Sequence, residues 1–479
     1  MSDAIAEAYQ LFIDGEFVQA AAGETRETID PATGETLATA AEAGAADVDR
    51  AVEAASEAQA EWEAMSPGKR GRIVSQLGEL IAEHSDELAE LESRDQGKPL
   101  TQAHHDVSGA ARFFEYYGGA VDKLEGRTAP TGDGKLAFTE RTPYGVSGQI
   151  VPWNFPFNLT ARGVAPALAA GNSVVVKAAP TTPLTAIRLA ELGKEAGLPD
   201  GVLNVLTGGG EPGAALSEHE DVDVLTFTGS VPTGQAVMES AAKTITPVTL
   251  ELGGKNASIV TPEADLGSAV FWTSLGIFTN AGQICSAADR AVVHESIYDD
   301  FVDAIVDRAE SYDLGPGVED PGMGPLNYEE HYESVLEYID VGVKEGATLV
   351  TGGEPADRDG FFVEPTVFTD VEPDMRIAQE EIFGPVLTVI PYSDPEEAIR
   401  IANGVEYGLT GGVFSQDIDE ALSLARDVDA GTVFINEWFG DGVETPFGGT
   451  KKSGIGREKG MEALDSYLQT QSITVNIDN

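Results

Sequence analysis

Residues 171–208 read GNSVVVKAAPTTPLTAIRLAELGKEAGLPDGVLNVLTG. A β-branched run, Val174 to Val176, precedes a segment from Leu184 to Leu192 with apolar residues spaced by three and four. A second apolar run, Val202 to Leu206, follows. Strand, helix, strand over this length implies parallel strands joined by a crossover helix, because antiparallel neighbours need only a turn. The pattern extends in both directions. GVSGQIVP (145–152) lies before it, and the helix-like GAALSEHE leads into VDVLTFTG (222–229) after it. Residues 45 to 125 read as helices ending at Gly or Pro. A second series runs from NASIVTP (256–262) through RAVVHESIYDDFVDAIVDRAE, ATLVTGG and GPVLTVIPYS to GTVFIN (431–436).

A chain of 479 residues is too long for one ordinary core. The reading is therefore α/β, with two doubly wound domains meeting near residue 250. Two strand-like pieces, GKLAFTERTPYGV near 135–146 and SITVNI at 472–477, fit neither series. A strand left unpaired exposes backbone donors and acceptors, so a partner is expected for each, such as another subunit.

The hydrophobic fraction of 42% indicates a packed protein, yet Lys+Arg number 29 against Asp+Glu 81, a formal charge of −52. The acids are dispersed, as in SEHEDVD and SQDIDEA, so the whole surface is acidic. Such self-repulsion opposes compaction in dilute buffer and is screened at high salt, which predicts a salt-rich cytoplasm. The composition resembles that of proteins from salt-loving microbes; the alternative is an acidic mesophilic enzyme. A phosphate backbone would be repelled almost everywhere, which excludes nucleic acid as a partner. The first residues lack the basic start and apolar run of a signal peptide, and no stretch is apolar enough to span a membrane. A single cysteine cannot form a disulfide within the chain, which fits the reducing cytosol. No metal site is read.

Four segments carry residue types suited to chemistry. In FTNAGQICSAADR (278–290), the lone Cys285 is either a small buried hydrophobe or a nucleophile. If the segment turned into a helix, backbone N–H groups near Cys285 would favour the thiolate. In TLELGGKNASIV (249–260), Glu251 is either an edge-strand charge in water or a general base whose pKa burial raises. IVPWNFP (150–156) is held rigid by its prolines, so Asn154 either donates to an oxyanion or caps a turn. DVLTFTGSVPTG (223–234) runs a strand into Gly229 and Ser230. It matches neither the common dinucleotide fingerprint nor a P-loop, yet phosphate can sit at the following helix start with Ser230 as its cap.

In order and in sequence, these segments resemble the aldehyde dehydrogenase superfamily from about residue 10 to the tail. EEIFGPV (380–386) and PFGGTKKSGIGRE (446–458) add to the match. The resemblance implies oxidation of a small aldehyde to its acid with NADP or NAD. It implies Cys285 as nucleophile, Glu251 as base, and Asn154 with the Cys285 backbone N–H as oxyanion hole. Cofactor contacts are implied for Ile150, Val151, Pro152, Trp153, Lys177, Gly229, Ser230, Leu252, Glu381 and Phe383, and substrate contacts for Arg162, Phe157 and Phe447. It further implies a Rossmann-like cofactor domain over 1–121 and 142–252, a catalytic domain over 253–453, and a small β oligomerisation element at 122–141 and 454–479 that builds a homodimer or homotetramer.

Two positions depart from common patterns. Pro180 stands where NAD-preferring relatives often carry Glu, and a carboxylate there would repel a 2′-phosphate, so NADP or dual use is expected. Arg162 stands where many relatives carry an aromatic residue and some semialdehyde dehydrogenases carry Arg. Their second arginine is here Thr279. This points to a short acidic semialdehyde, against the alternative of an Arg committed to a salt bridge. The competing readings are a CoA-acylating relative, disfavoured by Glu251, and a dinucleotide-binding structural protein that has lost the reaction.

Overall fold

The structure is a computed structural model that describes residues 5–440 and 442–477. Its centre is a pair of wound sheets. In the first, five parallel strands lie in the spatial order Val248–Glu251, Val224–Thr228, Val146–Ile150, Ser173–Lys177, Leu203–Leu206. The chain starts in the middle, at Val146–Ile150, winds outward to one side, then returns and winds outward to the other. Strand order therefore reverses between Val146–Ile150 and Val224–Thr228, and the crevice beyond their carboxyl ends is where open α/β sheets bind ligands. Val151 to Asn154 leave one of these strands at that crevice, and Gly229 with Ser230 leave the other.

The first sheet is closed by pieces from both chain ends. The hairpin Leu11–Ile13 and Glu16–Val18 covers one edge through an antiparallel contact with Leu203–Leu206. Gly454–Ile455 covers the other, paired antiparallel with Val248–Glu251. The core beneath also draws on the C-terminal region. Ala463, Leu464, Tyr467 and Leu468 pack in one cluster with Phe114, Phe157 and Leu168.

The second sheet has six parallel strands in the order Thr366–Thr369, Val386–Tyr392, Arg290–His294, Ala257–Val260, Thr410–Phe414, Thr432–Ile435. Thr348–Thr351 adds antiparallel at one edge. Thr366–Thr369 and Thr410–Phe414 were absent from the strand pattern of the sequence. The latter carries Gly411 and Gly412, which depress strand propensity. Gly412 has a packing reason: a Cβ there would lie 2.5 Å from the Trp438 ring.

The two strand-like pieces without a sheet pair with each other. Lys135–Pro143 and Leu468–Asn476 form an antiparallel ladder from Lys135↔Asn476 to Leu468↔Pro143, with Thr128–Ala129 added on the far side. The expected partner of each is thus the other, a pairing between segments more than 300 residues apart (468 − 143 = 325) that local sequence does not display. Leu468–Asn476 remains an edge strand among the described residues, with Val475 exposed.

Candidate active site

The site lies where the carboxyl edge of the first sheet meets the amino edge of the second. Glu251 ends the strand Val248–Glu251, and the chain crosses through Leu252, Gly253, Gly254 and Lys255 into Ala257–Val260. The paired glycines are required by close approach. A Cβ on Gly253 would stand 2.0 Å from the Glu381 carboxylate, and one on Gly254 would stand 2.4 Å from the Cys285 carbonyl oxygen. The Gly254 N–H donates to Glu381 Oε1 at 3.0 Å. This crossover thus joins three of the sequence motifs.

Cys285 occupies a tight turn and not a helix start; the Ala287 N–H bonds to the Ile284 carbonyl at 3.0 Å and the strand Arg290–His294 follows. The expected help from a helix N-terminus is absent, since Asp289 and Arg290 lead straight into the sheet. The turn is instead held from outside. Asn256 Nδ2 donates to the carbonyls of Cys285 and Ala287 at 2.9 and 2.8 Å, and Trp438 Nε1 to that of Ser286 at 2.9 Å. Cys285 is partly exposed at the cavity wall. Burial pushes its thiol up to about 12, with the Arg162 guanidinium acting in the opposite direction.

Glu251 is 3% exposed, which removes the solvent-edge alternative. Burial raises its pKa well above the usual carboxylate range. Glu458 adds to the rise, and Arg162 and Arg457 oppose it. Neither carboxylate oxygen has a hydrogen-bond partner within the described residues. Gly448 makes room for it: a Cβ there would lie 2.6 Å from Glu251 Oε1. Such a carboxyl group, buried yet lining the cavity, is suited to taking a proton from one incoming water.

Asn154 begins where the strand Val146–Ile150 has ended, just before the helix Pro156–Ala170, whose first residue is proline. Its Nδ2 donates to the Gln283 carbonyl at 2.9 Å, two residues before the thiol. Behind it lies a buried charge cluster. Lys98 Nζ bonds Glu92 Oε1 at 3.1 Å, contacts Asp106 Oδ2, and sits 4.0 Å over the Phe155 ring. Glu92 Oε2 accepts from the Phe157 N–H at 3.2 Å, tying the cluster to the start of the helix. Burial raises Glu92 to about 7 and Asp106 in the same direction. Lys98→Met leaves both carboxylates without their cation, which costs about 3–5 kcal/mol. The expected result is a thermal transition lower by on the order of 10 °C at pH 7.5. The deficit should shrink below pH 6, where the orphaned acids take up protons. A transition unmoved at both pH values would mean the cation contributes nothing.

Two adjoining cavities result. The first, about 330 Å³, is lined by Asn154, Arg162, Glu251, Cys285, Phe447 and the 381–383 stretch, with Leu252, Trp153 and Pro152. The second, about 440 Å³, is lined by Ile150, Val151, Lys177, Pro180 and Ser230. They share Pro152, Trp153, Gly229 and Ser230 at the sheet's reversal point. Lys177 Nζ lies near the carbonyls of Gly208 and Gly209, at 3.4 and 3.5 Å, and burial lowers it to about 8. Ser230 is the residue before the helix Val231–Thr244, but its hydroxyl meets Thr233 Oγ1 at 2.9 Å and makes no cap. Burial raises Glu381 to about 8. Phe383, at φ 60°, packs edge-on to Trp153.

Of the sixteen residues expected from the sequence, fifteen line one cavity or the other. Phe157 does not reach either cavity: it is fully buried in the core of the first domain, and Leu159 lines the first cavity in its stead. Arg162 does line it, but its Nε pairs with Glu458 Oε2 at 2.6 Å and its guanidinium lies 4.4 Å from the Phe447 ring centroid. Sequence reasoning missed Glu458 although it ends a quoted motif, because its partner is remote in the chain. It also missed Tyr328 and His331, which pack around Trp153. His331 Nε2 bonds the Phe383 carbonyl at 2.8 Å, and burial lowers its pKa to about 4, so the ring is neutral and donates. Nothing in the segment LNYEEHY announces that role.

Comparison with known proteins gives a consistent result. The sequence pattern described as the aldehyde dehydrogenase family matches residues 17–473. Aldehyde dehydrogenase 1 of Tanacetum cinerariifolium is 47% identical over 476 residues, covering 98% of this chain and 95% of the relative. Among solved structures, the NAD+ complex of an aldehyde dehydrogenase from Bacillus cereus superimposes with a TM-score of 0.97 at 45% identity, covering 98% of this chain and 97% of the other. A betaine aldehyde dehydrogenase from Staphylococcus aureus in complex with NAD+ gives 0.96 at 41% identity, covering 98% and 95%.

Proposed function

The chain belongs to the aldehyde dehydrogenase family, and from that premise we propose that it oxidises a short aldehyde to the carboxylic acid with NAD or NADP, through an acyl group carried on Cys285. The observation that carries this reading is the convergence of Cys285, Glu251 and Asn154, from three separate stretches of chain, on one cavity. That cavity opens into a second one at the sheet's reversal point, where a dinucleotide would be expected. Lys177 and Ser230 fit the adenosine and pyrophosphate end, and Glu381 with Phe383 fit the nicotinamide end. When bound, the dinucleotide supplies the hydride acceptor.

The protein's own groups account for the rest. Cys285 adds to the aldehyde carbonyl as the thiolate, so the raised thiol must lose its proton as substrate engages. The second hydrogen of the Asn154 amide is available to the oxygen that becomes negative. After the acyl thioester has formed, Glu251 removes a proton from water, and attack of that water frees the acid and restores the thiol. A buried base of raised pKa favours water over CoA as acceptor. The joint presence of all three groups argues against a purely structural protein.

Arg162 is the one Lys or Arg among the residues lining the first cavity. This supports a carboxylate-bearing aldehyde, whose charge would share Arg162 with Glu458. Pro180 lines the second cavity with Lys177, which supports use of NADP. The charge of −52 supports a saline cytoplasm, and the open edge of Leu468–Asn476 supports a homo-oligomer formed through that strand.

A panel of short aldehydes, neutral and acidic, assayed with each cofactor in dilute buffer and in molar KCl, tests the reading. Acid must appear without CoA, and NADP must serve at least as well as NAD. Pro180→Glu should move the kcat/KM ratio towards NAD by roughly tenfold or more, since a like charge at a binding site costs above about 1.4 kcal/mol. Equal kcat/KM for chain-matched neutral and acidic aldehydes would remove the acidic class, and a strong NAD preference in the unaltered protein would remove the NADP assignment.

A further inference from the structure

Asn280, five residues before the thiol, is fully enclosed in a stretch of left-handed backbone, with φ of 50° at Asn280, 52° at Ala281 and 75° at Gly282. Its Nδ2 donates to the backbone oxygen of Asn154 at 3.0 Å and stands 3.5 Å from the Gln283 carbonyl. That same Gln283 carbonyl accepts the Asn154 side-chain amide at 2.9 Å. The two amides therefore meet at one oxygen, and Asn280 holds Asn154 by its main chain as well.

The Asn280 side-chain oxygen, Oδ1, is by contrast buried without a hydrogen-bond partner among the described residues. An amide that leaves its acceptor unsatisfied while directing its donors at the Asn154 and Gln283 backbone oxygens contributes through those donors. The clamp is itself anchored. The Asn280 N–H bonds Gln102 Oε1 at 2.9 Å, and Gln283 Nε2 returns to the Asn280 carbonyl at 2.9 Å. Gln283 Oε1 accepts from the Asn327 N–H at 2.9 Å, and Asn327 Nδ2 donates to the Gln96 carbonyl at 3.1 Å. A buried chain of amides thus runs from a helix of the first domain to the loop that carries the nucleophile.

We propose that Asn280 is a positioning residue that fixes the Asn154 amide relative to Cys285. An amide group has two hydrogens. With one held on the Gln283 carbonyl and the Asn154 main chain held by Asn280, the other is presented to the cavity in one direction. This rests on the reading of Asn154 as the oxyanion donor.

The test is a double-mutant cycle read by the rate of the first hydride transfer, measured as the burst of reduced cofactor. Asn280→Gly removes the amide while keeping a residue that adopts positive φ readily. It should slow the burst by roughly 10- to 100-fold, below the full loss of about 10²–10³ for an oxyanion donor. Thioester hydrolysis and the dissociation constant of the cofactor should be unchanged. In an Asn154→Ala background, Asn280→Gly should change the burst by less than about twofold, since a residue acting through another has nothing left to position. Asn280→Asp keeps the shape and, where its carboxyl is ionised, has no donor and should match the glycine variant; the thermal transition of each variant, measured alongside, identifies a folding defect. Equal losses in both backgrounds, or a burst near the unaltered rate for either Asn280 variant, overturn the proposal. If Asn154→Ala itself leaves the burst intact, the oxyanion reading fails first, and the two failures are thereby distinguished.

Discussion

Cys285→Ala is expected to lose aldehyde oxidation by on the order of 10⁴-fold or more, because removing a nucleophile leaves only the binding and oxyanion contributions. No other side chain can substitute, as this is the only cysteine in the chain. The binding of cofactor should survive, because the thiol lies in the first cavity while Lys177 and Ile150 lie in the second. Following reduced cofactor by absorbance, alongside a direct binding titration, separates the two. Turnover within about tenfold of the unaltered protein would place the chemistry on another residue.

Glu251→Gln should behave differently. The acylating half-reaction should still deliver a burst of reduced cofactor, while steady turnover falls by roughly 10²–10⁴. The pH dependence supplies an independent sign. Glu251 works as a base when deprotonated, and burial holds its pKa well above the usual carboxylate range. Steady turnover of the unaltered protein, where hydrolysis limits it, should therefore climb with pH through that raised value and level off above it. The glutamine variant should lack this limb. A variant that loses burst and steady rate equally would point to a role for Glu251 in activating the thiol.

Much of this was legible in the sequence because it depends on local pattern. Short β-branched runs alternating with amphipathic helices announce wound sheets, whereas the close approach that requires the glycines after Glu251 shows only once Glu381 and Cys285 are in place. The parts that escaped depend on contacts between distant segments. Thr410–Phe414 is a central strand whose glycines hide it, since Trp438 claims the space that a side chain would fill. The partnership of Arg162 with Glu458 could not be seen from either alone. Phe157 misled for a geometric reason: it stands next to a functional segment, but the helix beginning at Pro156 turns it into the core, and the residue two places on lines the cavity. Proximity in sequence predicts a shared element and says little about which way a side chain faces.

The return of the chain end to the first domain bears on how the molecule is made. Tyr467 meets Thr226 through their hydroxyls, Asn172 donates to the Tyr467 carbonyl, and Tyr117 reaches the Gly460 carbonyl. A ribosome releases the sequence from its beginning, so the opening half waits, incompletely sealed, while the intervening residues are synthesised. Only when the segment from Gly454 to Asn476 emerges can that half be completed. The second wound unit, whose strands lie between Ala257 and Ile435, is free to mature while the first is still unfinished, and a nascent polypeptide cut short before Gly454 would lack a closed first half.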